Sequence, residues 1–138
     1  MKKIQSDVVA VKKTQSELYA FLGDIRNFES MMPEQVEDWK AEADSCSFRI
    51  KGMADLAMKI INRQPESEIK LESEGKKPFY FTLTFTVQPD TNEACTLQVQ
   101  MDAELNALLE ALASEPLRNF LNLMAAKCSE GLTPNPSQ

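Results

Sequence analysis

The sequence predicts an α+β fold: a curved antiparallel sheet of about seven strands, two short helices after the first strand, and a long C-terminal helix packed on the sheet. Three observations carry this. The hydrophobic period is close to two residues from about Trp39 to Leu105, it returns to the three-and-four spacing of a helix on either side, and the last helical stretch is the longest.

Residues 4–11 read as a short first strand. Thr14-Gln15-Ser16-Glu17 then has the form of a capping box, with Thr14 as N-cap and Glu17 reaching back to its backbone N–H. Leu18, Phe21, Leu22 and Ile25 follow on one helical face. Gly23-Asp24 divides this run into two short helices that end before Pro33, a shape able to span the open end of a curved sheet. Weaker strands are read at residues 39–43, 45–51, 54–62 and 67–73, separated by Asp44, Gly52, Pro65 and Gly75.

The clearest strand alternates Phe79, Phe81, Leu83, Phe85 and Val87 with Tyr80, Thr82, Thr84, Thr86 and Gln88, which gives it one wet face. The next places Leu97, Val99, Met101 and Ala103 inward, and Asp90-Thr91-Asn92-Glu93 between the two has hairpin-turn chemistry, so they should pair antiparallel. Ser114-Glu115-Pro116 reads as the cap and first turn of the closing helix, whose apolar stripe is Leu117, Phe120, Leu121, Met124, Ala125 and Cys128 and whose stop is Gly131. Leu105, Leu108, Leu109 and Leu112 suggest a separate turn or two leading into it. One domain is expected over residues 1–132, with a frayed, proline-interrupted tail at 133–138.

Composition narrows the function. The 138 residues, 43% hydrophobic and 26% charged, can bury a core without staples. A net charge of -6 with scattered basic residues argues against nucleic acid and anionic membranes as partners. The chain contains no histidine, which removes Ser-His and Cys-His triads, His-ligated zinc and the commonest general base near neutral pH. Cys46, Cys95 and Cys128 show no C-x-x-C spacing, and an odd count fits reduced thiols in the cytoplasm. There is no apolar run of spanning length, no leader-like start, no glycine-rich phosphate loop and no G-x-S-x-G elbow, so no cofactor or metal is expected.

The order of elements, together with Thr14-Gln15-Ser16-Glu17-Leu18-Tyr19-Ala20-Phe21-Leu22-Gly23-Asp24, the aromatic-rich turn from Ile25 to Pro33, Leu105-Asn106 and Pro116-Leu117-x-x-Phe120-Leu121, resembles the START-like or SRPBCC superfamily and its helix-grip fold. It is most similar to the bacterial polyketide cyclase/dehydrase and lipid-transport type. That resemblance implies an apolar cavity between sheet and terminal helix, holding a lipid, isoprenoid or polyketide-like molecule. The residues it would use are Tyr19, Met32, Trp39, Phe48, Met58, Leu71, Phe81, Phe85, Met101, Phe120 and Met124. Met31-Met32-Pro33 with Trp39 would form the mouth, because thioethers and an indole give adaptable apolar contact. Tyr19 could orient a carbonyl, with Asp55 or Arg63 facing a head group.

The same inward side chains could instead pack the space solid, and both outcomes stay open. A dry void of about 300 Å³ would cost on the order of 7 kcal/mol, so a cavity that size must hold water or ligand, or be tolerated for function. No catalytic residue is assigned. Glu66, Glu68, Glu72 and Glu74 alternate along one strand as solvated charge rather than converging as paired acids. A non-enzymatic binding protein is the leading expectation, a cyclase/dehydrase-like enzyme the first alternative and a packed protein-interaction module the second. Oligomeric state, monomer or homodimer, is not fixed by these patterns.

Overall fold

The computed structural model describes residues 1–75, 79–91 and 93–129. Among these, strands form at β1 (Lys2–Gln5), β2 (Val9–Val11), β3 (Val36–Ala41), β4 (Ser45–Ile50), β5 (Ala54–Gln64), β6 (Glu68–Ser73), β7 (Phe81–Thr91) and β8 (Ala94–Ala103). Helix α1 (Gln15–Leu22) and a 3₁₀ helix (Ile25–Met31) separate β2 from β3, and α2 (Ala107–Ser129) closes the described chain. The strands make one antiparallel sheet in the order β1-β8-β7-β6-β5-β4-β3, with β2 also on β8. The expected α+β arrangement, a curved sheet with a long terminal helix, is what the structure has.

The α1 entry follows the sequence signal. Thr14 Oγ1 accepts from the Glu17 backbone N–H at 3.1 Å, while Glu17 Oε1 accepts from the Thr14 N–H at 2.8 Å. Gly23 ends the helix, donating its N–H to the Tyr19 carbonyl at 2.9 Å. Asp24 then caps the 3₁₀ helix by accepting from the Arg26 N–H at 3.0 Å.

Two expectations are corrected. Residues 4–11 are not one strand: Ser6 interrupts it, its N–H donating to the Val99 carbonyl at 2.8 Å while its hydroxyl accepts from the Val99 N–H at 2.9 Å. A side chain thus stands in for a ladder carbonyl, and the register restarts at Val9. Nor does the closing helix begin at Ser114. Asn106 caps it a full two turns earlier, its Oδ1 accepting from the Leu109 N–H at 2.9 Å, and Leu108, Leu109 and Leu112 of the expected lead-in belong to α2, with Leu105 just before it. Ser114 lies mid-helix, donating its hydroxyl to the Glu110 carbonyl at 2.7 Å, and Pro116 is accommodated on the exposed side. Gly131, the tail at 133–138 and Asn92 of the expected hairpin turn lie outside the described residues.

Bending of the sheet has a visible source. Register shifts occur at Glu37/Lys40, Ile60/Asn62 and Pro89/Thr91, and Asp38 in the first adopts φ 54. Each bulge adds local twist, which lets strands wrap around a helix rather than lie flat beneath it. Against the concave face pack Leu117, Leu121, Met124, Ala125 and Cys128 of α2, each at most 2% exposed. Phe28 from the 3₁₀ helix meets Phe85 with ring centroids 5.3 Å apart, locking that helix onto β7. The two buried hydroxyls, Ser6 and Ser73, are both hydrogen-bonded, so this core holds no orphaned polar side chain among the described residues.

Candidate functional site

Helix α2, which follows β8 and is capped by Asn106, passes the turn between β4 and β5. That turn is built by Gly52 at φ 76, a conformation costly for any side chain bearing Cβ, with the Met53 N–H donating to the Ile50 carbonyl at 2.9 Å. It is tied in turn to the loop before β3, because the Lys51 N–H donates to the Gln35 carbonyl at 2.7 Å. Between these segments and the first half of α2 lies an open groove of about 550 Å³. Ile50 and Met53 form one wall, and Leu109, Leu112, Ala113, Pro116 and Phe120 the other, with Gln35, Lys51, Gly52 and Asn119 around the rim.

A second hollow of about 570 Å³ continues it along α2, bordered by Pro33, Glu34, Gln35, Lys51, Leu123 and Lys127. Gln35 and Lys51 border both. Leu112, 65% exposed, and its neighbour one turn back, Leu108 at 68%, are large apolar side chains left in water at this end of the molecule. Pro116 has no N–H to give the Leu112 carbonyl, so the groove-lining stretch of α2 also lacks one of its ladder hydrogen bonds.

Most of the side chains expected to touch a ligand lie deeper. Met32, Met58, Leu71, Phe81, Phe85, Met101 and Met124 are in the buried core, while Tyr19 is half-buried against it. Phe120 both belongs to the core and walls the groove. It stacks on Phe48 with centroids 6.1 Å apart and rings inclined 22°, and Phe48 in turn meets Trp39 at 5.7 Å. This aromatic row connects the groove wall to β3. Phe48 also borders a smaller hollow of about 280 Å³ that includes Asp38, Arg49 and Asp55.

The polar groups considered for a head group do not converge. Asp55 pairs with Arg49 at 2.7 Å on the exposed face of β4 and β5, and the Arg49 hydrogen bond holds its carboxyl below the ordinary aspartate range. Arg63 donates to the Gly23 carbonyl at 2.9 Å and to Asp44, pinning the junction of the two short helices to the β3–β4 turn. Tyr80 donates its hydroxyl to Glu72 at 2.6 Å, away from the core. Burial pushes the Cys46 and Cys128 thiols up to about 12, so neither offers a thiolate near neutral pH.

Residues at the groove that the sequence pattern did not assign to a ligand site include Gln35, Ile50, Lys51, Met53, Leu109, Leu112 and Asn119. Leu109 and Leu112 were visible as a helical apolar repeat, and Gly52 as a turn, but nothing local says that the two meet.

A curved antiparallel sheet holding its terminal helix, with an apolar groove where helix and sheet part, is a helix-grip fold. Solved structures agree over nearly the whole chain. A START superfamily protein from Mycobacterium smegmatis superposes with a TM-score of 0.67 at 12% identity, covering 93% of this chain and 97% of its own. Norcoclaurine synthase from Thalictrum flavum, as a point mutant in complex with a transition-state analogue, gives 0.72 at 15% identity over 94% and 92%. An uncharacterised protein from Bacillus thuringiensis gives 0.74 at 7% identity over 94% and 97%. These likenesses establish the fold. No protein-family model matches the chain, and no curated protein matches it.

Proposed function

We propose that the protein is a cytoplasmic carrier or receptor for an apolar or amphipathic small molecule of lipid, isoprenoid or polyketide-like character. The molecule sits in the groove between α2 and the β4–β5 turn, where helix and sheet part. The observation that carries this is the groove itself: Ile50, Met53, Leu109, Leu112 and Phe120 form facing apolar walls around an open volume of about 550 Å³, within the usual size range of small-molecule sites. Phe120 would form its inner wall, backed by Phe48 and Trp39, while Met32, Met58, Leu71, Phe81, Phe85, Met101 and Met124, with Tyr19 against them, make the packed core beneath it.

Native mass spectrometry of protein purified from its own host, with displacement of a fluorescent dye by fatty acids and isoprenoid alcohols, tests this. A bound species or saturable displacement is expected, weakened by Leu112→Gln, a change at a side chain exposed enough to leave folding intact. Absence of both would sink the assignment. The exposed pair Leu108 and Leu112 supports a second reading, a protein-interaction module. In that case no small molecule displaces the dye, and Leu112→Gln abolishes a protein contact instead.

A further inference from the structure

We propose that the groove selects a single-chain amphiphile with a monoanionic head, with Lys51 and Lys127 as the residues that read its charge; this rests on the ligand-binding reading above and specifies its substrate class. In a chain of net charge -6, two lysines border the hollow that continues the apolar groove, and neither has an ion-pair partner among the described residues. Elsewhere Arg26, Arg49 and Arg63 each sit against an aspartate. Glu34 lies in the same hollow, so its formal charge is that of two lysines and one glutamate, +1, which one carboxylate balances and a dianion exceeds.

Lys51 borders both hollows, placing charge where the apolar walls of Met53 and Leu112 begin. Its position is fixed by the backbone bond to Gln35 at 2.7 Å, and the Gln35 side chain offers a neutral donor at the same rim. Along α2, Leu112 and Leu123 stand about 16 Å apart at the usual rise per residue, so the two hollows together make a channel suited to an extended chain rather than a compact ring system. Solvent-exposed ammonium groups add little affinity each, but they discriminate head groups, since an amine or a cation gains nothing from them.

The test is isothermal titration of the full chain with dodecanoate, 1-dodecanol and dodecyltrimethylammonium below their micelle concentrations, for wild type, the double variant Lys51→Gln/Lys127→Gln, and Lys59→Gln as a control on an exposed stretch of β5. Dodecanoate is expected to bind about tenfold more tightly than the alcohol, and the double variant to lose that preference while its affinity for the alcohol stays within about twofold. Glu34→Gln should sharpen the preference. Urea melts of each variant confirm folding. If carboxylate and alcohol bind alike, or the double variant keeps the preference, the head-group assignment is overturned while the ligand-binding reading stands. If none of the three chains binds, both fall.

Discussion

Truncating Phe120 to alanine is the sharpest test of how the helix is held. The ring is 5% exposed, stacks on Phe48 at 6.1 Å and extends through it to Trp39. Removing a buried phenylalanine costs about 3–5 kcal/mol, part transfer energy and part the void left behind. Here the void opens onto the groove that Phe120 also lines, so water or the exposed Leu112 can enter it, and the cost should fall near the lower end, about 3 kcal/mol. With a urea slope of about 1.5 kcal/mol/M, the midpoint should move down by about 2 M. Trp39, the only tryptophan, reports the transition through its fluorescence, and its contact with Phe48 makes the native signal sensitive to the lost stack. A Phe48→Leu/Phe120→Ala double-mutant cycle should show coupling of about 0.5–1.5 kcal/mol, the increment typical of an aromatic pair. A loss below about 1 kcal/mol with no coupling would mean that α2 does not pack on the sheet through this row.

Three further outcomes follow from local geometry. Asn106→Ala removes the acceptor for the Leu109 N–H and should cost about 1 kcal/mol, with faster amide exchange confined to the first turn of α2; unchanged exchange there would contradict the cap. Glu17 is held below the ordinary glutamate value of 4.5, first by its hydrogen bond from the Thr14 backbone N–H, so its contribution is present above that pH and lost as pH falls through the depressed folded value. Glu17→Gln keeps a capping-box acceptor but cannot titrate, so its urea midpoint should fall less steeply on acidification below pH 4.5 than that of wild type, and parallel acid limbs would refute the link. Finally, Cys46, Cys95 and Cys128 are at most 5% exposed and burial raises all three thiols, so a thiol reagent at pH 8 should label none in the native protein and all three in urea; a rapidly labelled native thiol would show that side chain is accessible.

The central strands were legible because one of their faces is dry. From Phe81 to Val87 every second residue must be apolar or the core loses a layer, and the same constraint writes Leu97, Val99 and Met101 across from it. Thr14 and Glu17 were legible because a capping box is a contract between residues three apart. The first strand misled because Ser6 looks like any polar alternate, and only its bonds to Val99, 93 residues on, show that it breaks the ladder. Ser114-Glu115-Pro116 misled for a different reason: it is a valid start signal, overruled because Asn106 had already started the helix and Pro116 falls on its exposed side.

The groove was illegible because it is made by what is missing. Where α2 crosses the β4–β5 turn, the facing positions are Gly52, Ala113 and Pro116, and an added Cβ at Gly52 would meet no atom within 4 Å. In isolation each has an ordinary explanation: a turn glycine, a helix former, a capping proline. Only their convergence leaves space, and the ends of that space are then fixed by side chains that are large and well packed, Phe120 toward the core and Met53 toward the turn. A tightly packed helix needs its small residues opposite large ones, so a crossing that sets small against small in an otherwise dense protein sacrifices apolar contact there. Leu108 and Leu112, left more than half exposed beside it, extend that sacrifice rather than repair it. Stability alone gives no reason to keep such an arrangement, whereas the ligand-binding function proposed above would supply one.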